Sequence, residues 1–295
     1  MVVIFVATRA AGDPAMLLMP PDATVEEITA ARQRFGTDRP YHEQFAVFLK
    51  DMATLDFGRS VVYREPVTQL LGGRVLASVS LAVSAIFLVL VTAVPLGVLA
   101  ATKRGRTADH LVRALAAFGQ AAPGFWVGLI LIQVFAVRLR LFPAGGAGGA
   151  ESMTWEFYVL PAVTLALPLF AALTRLLRSS MLENLDAEFV KLARAKGLPE
   201  FRVVWVHVLR NGLLPVLTLM ALWVGTAVAG SVVTETVFNW PGIGALFLTA
   251  IVARDFPVIQ AIVALLGASV LLANLTADLL YAVVDPRIRI GAGSR

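Results

Sequence analysis

The 295-residue chain contains no cysteine and only three histidines, and just 15% of its residues are charged. An average soluble domain carries about 25% charged residues. Without cysteine there is no thiol nucleophile, cysteine-zinc site, iron–sulfur cluster or disulfide; the absence says little about redox compartment. His42, His110 and His207 lie on separate segments, which argues against a metal centre. No G-x-x-x-x-G-K-[ST] occurs, so this chain does not hold ATP on a P-loop, and no G-x-S-x-G nucleophile elbow occurs either.

What the sequence has in place of charge is length of apolar run. Apolar residues make up 58% of the chain and the mean hydropathy is +0.78. Five runs free of Asp, Glu, Lys and Arg stand out: Val75–Thr102 (28 residues), Ala114–Val137 (24), Phe157–Thr174 (18), Asn211–Thr234 (24) and Phe256–Ala277 (22). A helix needs about 20 residues to cross the hydrocarbon of a bilayer. Four runs meet this outright, and Phe157–Thr174 does so if Arg175 snorkels. The sequence thus predicts an all-α polytopic membrane protein with five full spans. Met1–Thr8 is apolar but too short to cross. It reads either as an interfacial tail or as the back half of a first helix, six spans being the expectation for a longer natural chain.

The basic residues sort by side. Fourteen lie in the loops after the first and third runs and in the C-terminal tail, and only Arg138, Arg140 and Arg254 lie in the intervening short loops. The positive-inside rule puts the fourteen, and the C-terminus, in the cytoplasm. Counted this way the inner side carries +7 and the outer side −2. The pI near 10.0 is therefore a record of topology and not a nucleic-acid patch. No charged residue interrupts the runs, which disfavours an ion-coupled transporter with a buried ion site. Glu235 and Asp278 fall at run edges.

Two loops carry pattern. On the outer side Thr24-Val25-Glu26-Glu27 reads as a capping box and Gly36 as a helix stop. Tyr41, Phe45, Phe48, Leu49 and Met52 then recur at helical spacing. That second helix either packs on the rest of the protein or offers a docking surface. Pro143–Ala150 reads as a flexible loop. On the inner side Asp186 is positioned to cap a helix over Ala187–Lys196, with Gly197 as its left-handed stop. Pro199 suits the first turn of a helix running through Trp205 and Leu209. Phe189, Leu192 and Ala193 share one face at i, i+3 and i+4, ringed by Glu188, Lys191, Arg194 and Lys196. Such a helix suits a partner's groove or the membrane surface equally well. Gly225, Ala229 and Gly230, and Ala264, Gly267 and Ala268, allow close helix approach. Pro95, Pro123, Pro161, Pro168 and Pro215 predict bends or helix ends.

In order and spacing these pieces resemble a bacterial ABC importer permease of the dipeptide/oligopeptide/nickel group. The resemblance runs through Gly12-Asp13-Pro14, Gly36-Thr37-Asp38-Arg39-Pro40, Asp56-Phe57-Gly58-Arg59-Ser60, Pro66-Val67 and Pro123-Gly124-Phe125-Trp126 with Gly128-Leu129. It continues through Glu188-Phe189-Val190, Ala193-Arg194-Ala195-Lys196-Gly197-Leu198, His207-Val208-Leu209-Arg210-Asn211 and Pro215. It closes on Thr234-Glu235-Thr236-Val237-Phe238, Pro241-Gly242-Ile243-Gly244 and Asp285-Pro286-Arg287-Ile288-Arg289. The general importer motif has Glu where this chain has Lys191, and of its closing Ile-x-Leu-Pro only Leu209 matches.

The resemblance implies the ABC importer type I transmembrane fold and a division of the chain. Residues 1–11 would be the remnant of a first helix and 12–73 an outer helical segment. The transmembrane domain would cover 74–285, with spans near 75–101, 114–137, 157–177, 211–235 and 256–280 and a coupling loop at 178–210. Residues 286–295 would be a cytoplasmic tail. It further implies a transport subunit without its own ATPase site in the bacterial inner membrane, forming half of a pore for peptides or for nickel, glutathione or oligosaccharide. Its partners would be a second, related permease, two ATPase subunits that hold ATP and magnesium, an extracytoplasmic solute-binding protein, and lipid. Coupling would pass through Glu188, Phe189, Leu192, Ala193, Arg194, Lys196, Gly197 and Leu198. The competing expectations are a membrane receptor or scaffold that transports nothing, and an ion-coupled secondary transporter.

Overall fold

The computed structural model describes residues 23–146 and 154–284, with Val2, Phe5 and Val6 ahead of them. The side chains of Ala31, Arg34, Phe35, 224–230 and 277–284 are not described. The expectations for the first-helix remnant, Gly12-Asp13-Pro14, the small residues at 225–230, Asp278, the 285–289 motif and the tail fall on or largely on residues outside the description.

All regular structure among the described residues is helical apart from one isolated bridge, Arg59 to Pro66. The chain divides into two compact units, Met1–Ser78 with Pro241–Ala268, and Val79–Trp240 with Ser269–Arg295.

In the first unit, α1 (Val25–Phe35) opens on the capping box: Glu27 N donates to Thr24 Oγ1 at 3.3 Å, and Thr24 N donates to Glu27 Oε2 at 2.8 Å. Gly36 closes it at φ 64°. Helix α2 (Tyr41–Thr54) buries Phe48 against the rings of Phe5 and Phe45. Its apolar stripe is only partly used, because Tyr41 and Leu49 are exposed while Gln44 is buried. Gln44 reaches back to cap the preceding turn, its Nε2 donating to the carbonyls of Thr37 and Arg39 at 3.2 and 2.6 Å. In the turn that follows, Ser60 Oγ and Val62 N both donate to Asp255 Oδ2. An 11-residue apolar helix, α10 (Ile243–Ala253), was not foreseen; its first amide donates to Ser78 Oγ at 2.8 Å. On helix α11 (Phe256–Val284) Ala264 is buried while Gly267 and Ala268 are exposed, so only the first of these small residues packs among the described residues.

In the second unit the organising element is α6 (Trp155–Leu185), which buries Leu165, Leu169, Leu173 and Leu177 along its length. It packs against α4 (Thr107–Ala121), α5 (Gly124–Arg138) and α9 (Leu214–Val237). Pro161 and Pro168 lie inside α6, and Pro95 lies inside the 36-residue α3 (Val67–Thr102). The run expected as one span over 114–137 is broken: α4 and α5 meet at 108°. The cause is Pro123, which cannot donate to the helix ladder and drives Ala122 to extended backbone at ψ 128°. The last seven residues of α5 are π-helical. The described part of the loop after α5 is anchored, with Gly146 N donating to Phe238 O at 2.9 Å. Gly145 makes that approach possible, because a Cβ there would stand 2.1 Å from the Phe238 carbonyl oxygen. Glu235, two residues before the end of α9, is fully buried and accepts from Ser231 Oγ at 2.7 Å.

Candidate functional site

The candidate coupling residues fall between α6 and α9. Helix α6 ends at Leu185 with Asp186 as its C-cap, so Asp186 does not cap the next helix as its position suggested. That role falls to Ala187, whose extended backbone (φ −71°, ψ 151°) turns the chain without a side-chain cap. Helix α7 (Glu188–Ala195) follows and stops at Lys196. Gly197 adopts φ +77°, its amide donating to Arg194 O at 2.9 Å, and Leu198 N donates to Ala193 O at 3.3 Å. This is the left-handed corner that the glycine permits. Pro199 then stands ahead of α8 (Glu200–Gly212), which is π-helical over Val203–Val208 and bends 50° into α9 at Leu213.

The expected face of Phe189, Leu192 and Ala193 is divided. Val190 (0% exposed) and Ala193 (8%) turn inward, and α7 packs on the π-helical stretch whose Val203 and Val208 are also buried. Phe189 (40% exposed) and Leu192 (57%) turn outward. Geometry explains the split: residues 189, 192 and 193 span the boundary between two stripes, and the second stripe is completed by Val190. Glu188, Arg194, Lys196 and Gly197 are exposed and Leu198 half-buried.

Two ion pairs edge the outward pair. Lys191 Nζ donates to Glu188 Oε1 at 2.7 Å. Arg194 Nε and Nη2 donate to Glu200 Oε2 and Oε1 at 3.1 and 2.7 Å, a fork that closes the corner from outside the chain's turn. The Arg194 guanidinium holds the Glu200 carboxyl below its usual range. Helical spacing marks Arg194 as a rim residue but gives no sign of its partner Glu200, nor of the anchoring role of Val190. The pairing of 194 with 200 follows only once the corner at Gly197 reverses the chain.

A family model described as "Binding-protein-dependent transport system inner membrane component" matches residues 93–290. The chain belongs to this family. The glutathione transport system permease protein GsiC of Salmonella typhimurium is 39% identical over 278 residues, covering 94% of this chain and 89% of the relative. GsiC of Escherichia coli strain K12 is 38% identical over the same coverage. A chain from inward-facing MetNI methionine ABC transporter crystals superimposes with a TM-score of 0.61 at 20% identity, covering 74% of this chain and 97% of that one. This permease therefore has the type I ABC importer transmembrane fold and is a multi-pass inner-membrane protein.

Proposed function

We propose that this permease forms half of the translocation path of an ATP-driven importer for glutathione or similar short peptides. It would do so with a second, related permease. The substrate class is supported by the glutathione permeases that match 94% of the chain. The coupling role is supported chiefly by one observation: α7 presents Phe189 and Leu192 outward while Val190 and Ala193 lock its other side to the stretch leading into α9. An exposed apolar pair on a rigid, charge-rimmed helix suits an ATPase groove, and a push on it reaches α9 without being absorbed in the loop. ATP and magnesium are held by partner ATPase subunits, and a solute-binding protein delivers substrate from outside. The excess of 14 basic residues on one side supports a cytoplasmic α7 and C-terminus.

Reconstitution of the permease with partner permease, ATPase and binding protein tests this reading. Glutathione should accumulate only with ATP, with shorter and longer peptides competing in order of similarity. Accumulation that collapses with a protonophore while ATP is held constant would contradict it.

A further inference from the structure

Away from α7, helices α4 and α6 border a cavity of about 520 Å³ lined by His110, Arg113, Ala114, Ala117, Arg175 and Arg178. Three guanidiniums and an imidazole thus meet at one place. The carboxylate that faces them, Asp109, is already engaged. Arg178 Nε and Nη2 donate to its two oxygens at 2.7 and 2.8 Å, and Gly105 N donates to Oδ2 at 3.0 Å. Arg175 Nη2 donates to the neutral amide oxygen of Gln120 at 2.7 Å, which leaves its charge uncompensated. Arg113 forms no ion pair among the described residues. Two positive charges therefore remain unbalanced over a shelf of two alanines small enough to leave room for a ligand.

The position of the cavity along the helices narrows the ligand. The charge-free run of α6 ends at Thr174, directly before Arg175, so the cavity lies where hydrocarbon gives way to headgroups. Beside it α4 exposes Leu111, Leu115 and Phe118 at helical spacing. A cationic recess with an apolar flank, at that depth, matches a phosphodiester with its acyl chains alongside. Guanidinium forks suit phosphate oxygens geometrically as well as by charge.

We propose that this cavity is a phosphate-binding site, gripped by Arg113 and Arg175, that takes the headgroup of an anionic phospholipid. The site is independent of the coupling role of α7 and of the transported substrate.

Native mass spectrometry of the intact chain in detergent tests it, with phosphatidylglycerol and phosphatidylcholine of matched acyl chains as probes. Phosphatidylglycerol should bind about thirtyfold more tightly than phosphatidylcholine, given two arginines each favouring an anionic headgroup. Arg113→Gln with Arg175→Gln should abolish the preference, Arg113→Lys with Arg175→Lys should keep most of it, and Lys50→Gln on α2 should leave it unchanged. If the double glutamine variant fails to fold, Arg113→Gln alone should lower the preference about fivefold, since Arg113 makes no direct ion pair among the described residues and acts on Asp109 only through its charge. A preference that survives these glutamine changes overturns the proposal. Displacement of phosphatidylglycerol by inorganic phosphate at equal affinity would overturn the lipid assignment and identify a soluble anion as the source.

Discussion

Gly197 stands at φ +77°, yet no heavy atom lies within 4 Å of where its Cβ would be. A side chain there meets open space, so the penalty of substitution lies in the backbone and not in a clash. For alanine the left-handed region costs about 1 kcal/mol. Gly197→Ala should insert and assemble normally but loosen the corner, with a partial fall in substrate-stimulated ATP hydrolysis. Gly197→Asp adds a charge beside the outward pair and should leave the protein in the membrane while uncoupling hydrolysis from uptake. ATPase activity and uptake measured in the same proteoliposomes separate the two, and normal uptake by Gly197→Asp would remove this corner from the coupling account. Phe189 and Leu192 were legible from spacing, as was Gly197 from its position after a helical run. Ala193 was not, because periodicity cannot say which of two overlapping stripes turns inward. Val190 decides that, and its burial appears only when α7 packs on the π-helical stretch of α8.

At the scale of elements, two devices hold the second unit. One is the packing of Val190 and Ala193 of α7 on the π-helical stretch of α8. Burying a valine contributes about 2 kcal/mol, and truncation also leaves a void. Val190→Ala should therefore lower the local stability of 187–199 by about 2 kcal/mol, read as faster limited proteolysis of the loop with the helices of the bundle still protected. The other is the fork between Asp109 of α4, 1% exposed, and Arg178 of α6, 20% exposed. Removing one partner of a buried pair strands the other, which costs about 3–5 kcal/mol when both are enclosed and less here because Arg178 is partly wet. Asp109→Asn should lower the unfolding midpoint in detergent, with a loss of about 2–3 kcal/mol, and Arg178→Gln in the same background should add little. The fork was not visible in the sequence, since positions 69 residues apart are joined only by helix packing.

For the molecule as a whole, the polytopic character and the family resemblance were readable because hydropathy and motif order are local properties of the chain. The 108° turn between α4 and α5 was not, although Pro123 was singled out as a bend or an end. A charge-free run has the same composition whether its helix is straight or broken; Pro123 ends the first arm, and the packing of both arms on α6 accompanies the angle between them. Helix α10 escaped notice for the related reason that its 11 residues are too few to register as a span. The scarcity of charge that marks this chain also separates its two sides, and the absence of cysteine makes that separation measurable. Leu192→Cys introduces the single thiol of an otherwise thiol-free permease at the outward tip of α7. A membrane-impermeant maleimide should label it in inside-out vesicles and not in right-side-out ones, and added ATPase subunits should protect it. Labelling from the outer side, or labelling indifferent to the ATPase subunits, would contradict the assignment of α7 as the coupling element.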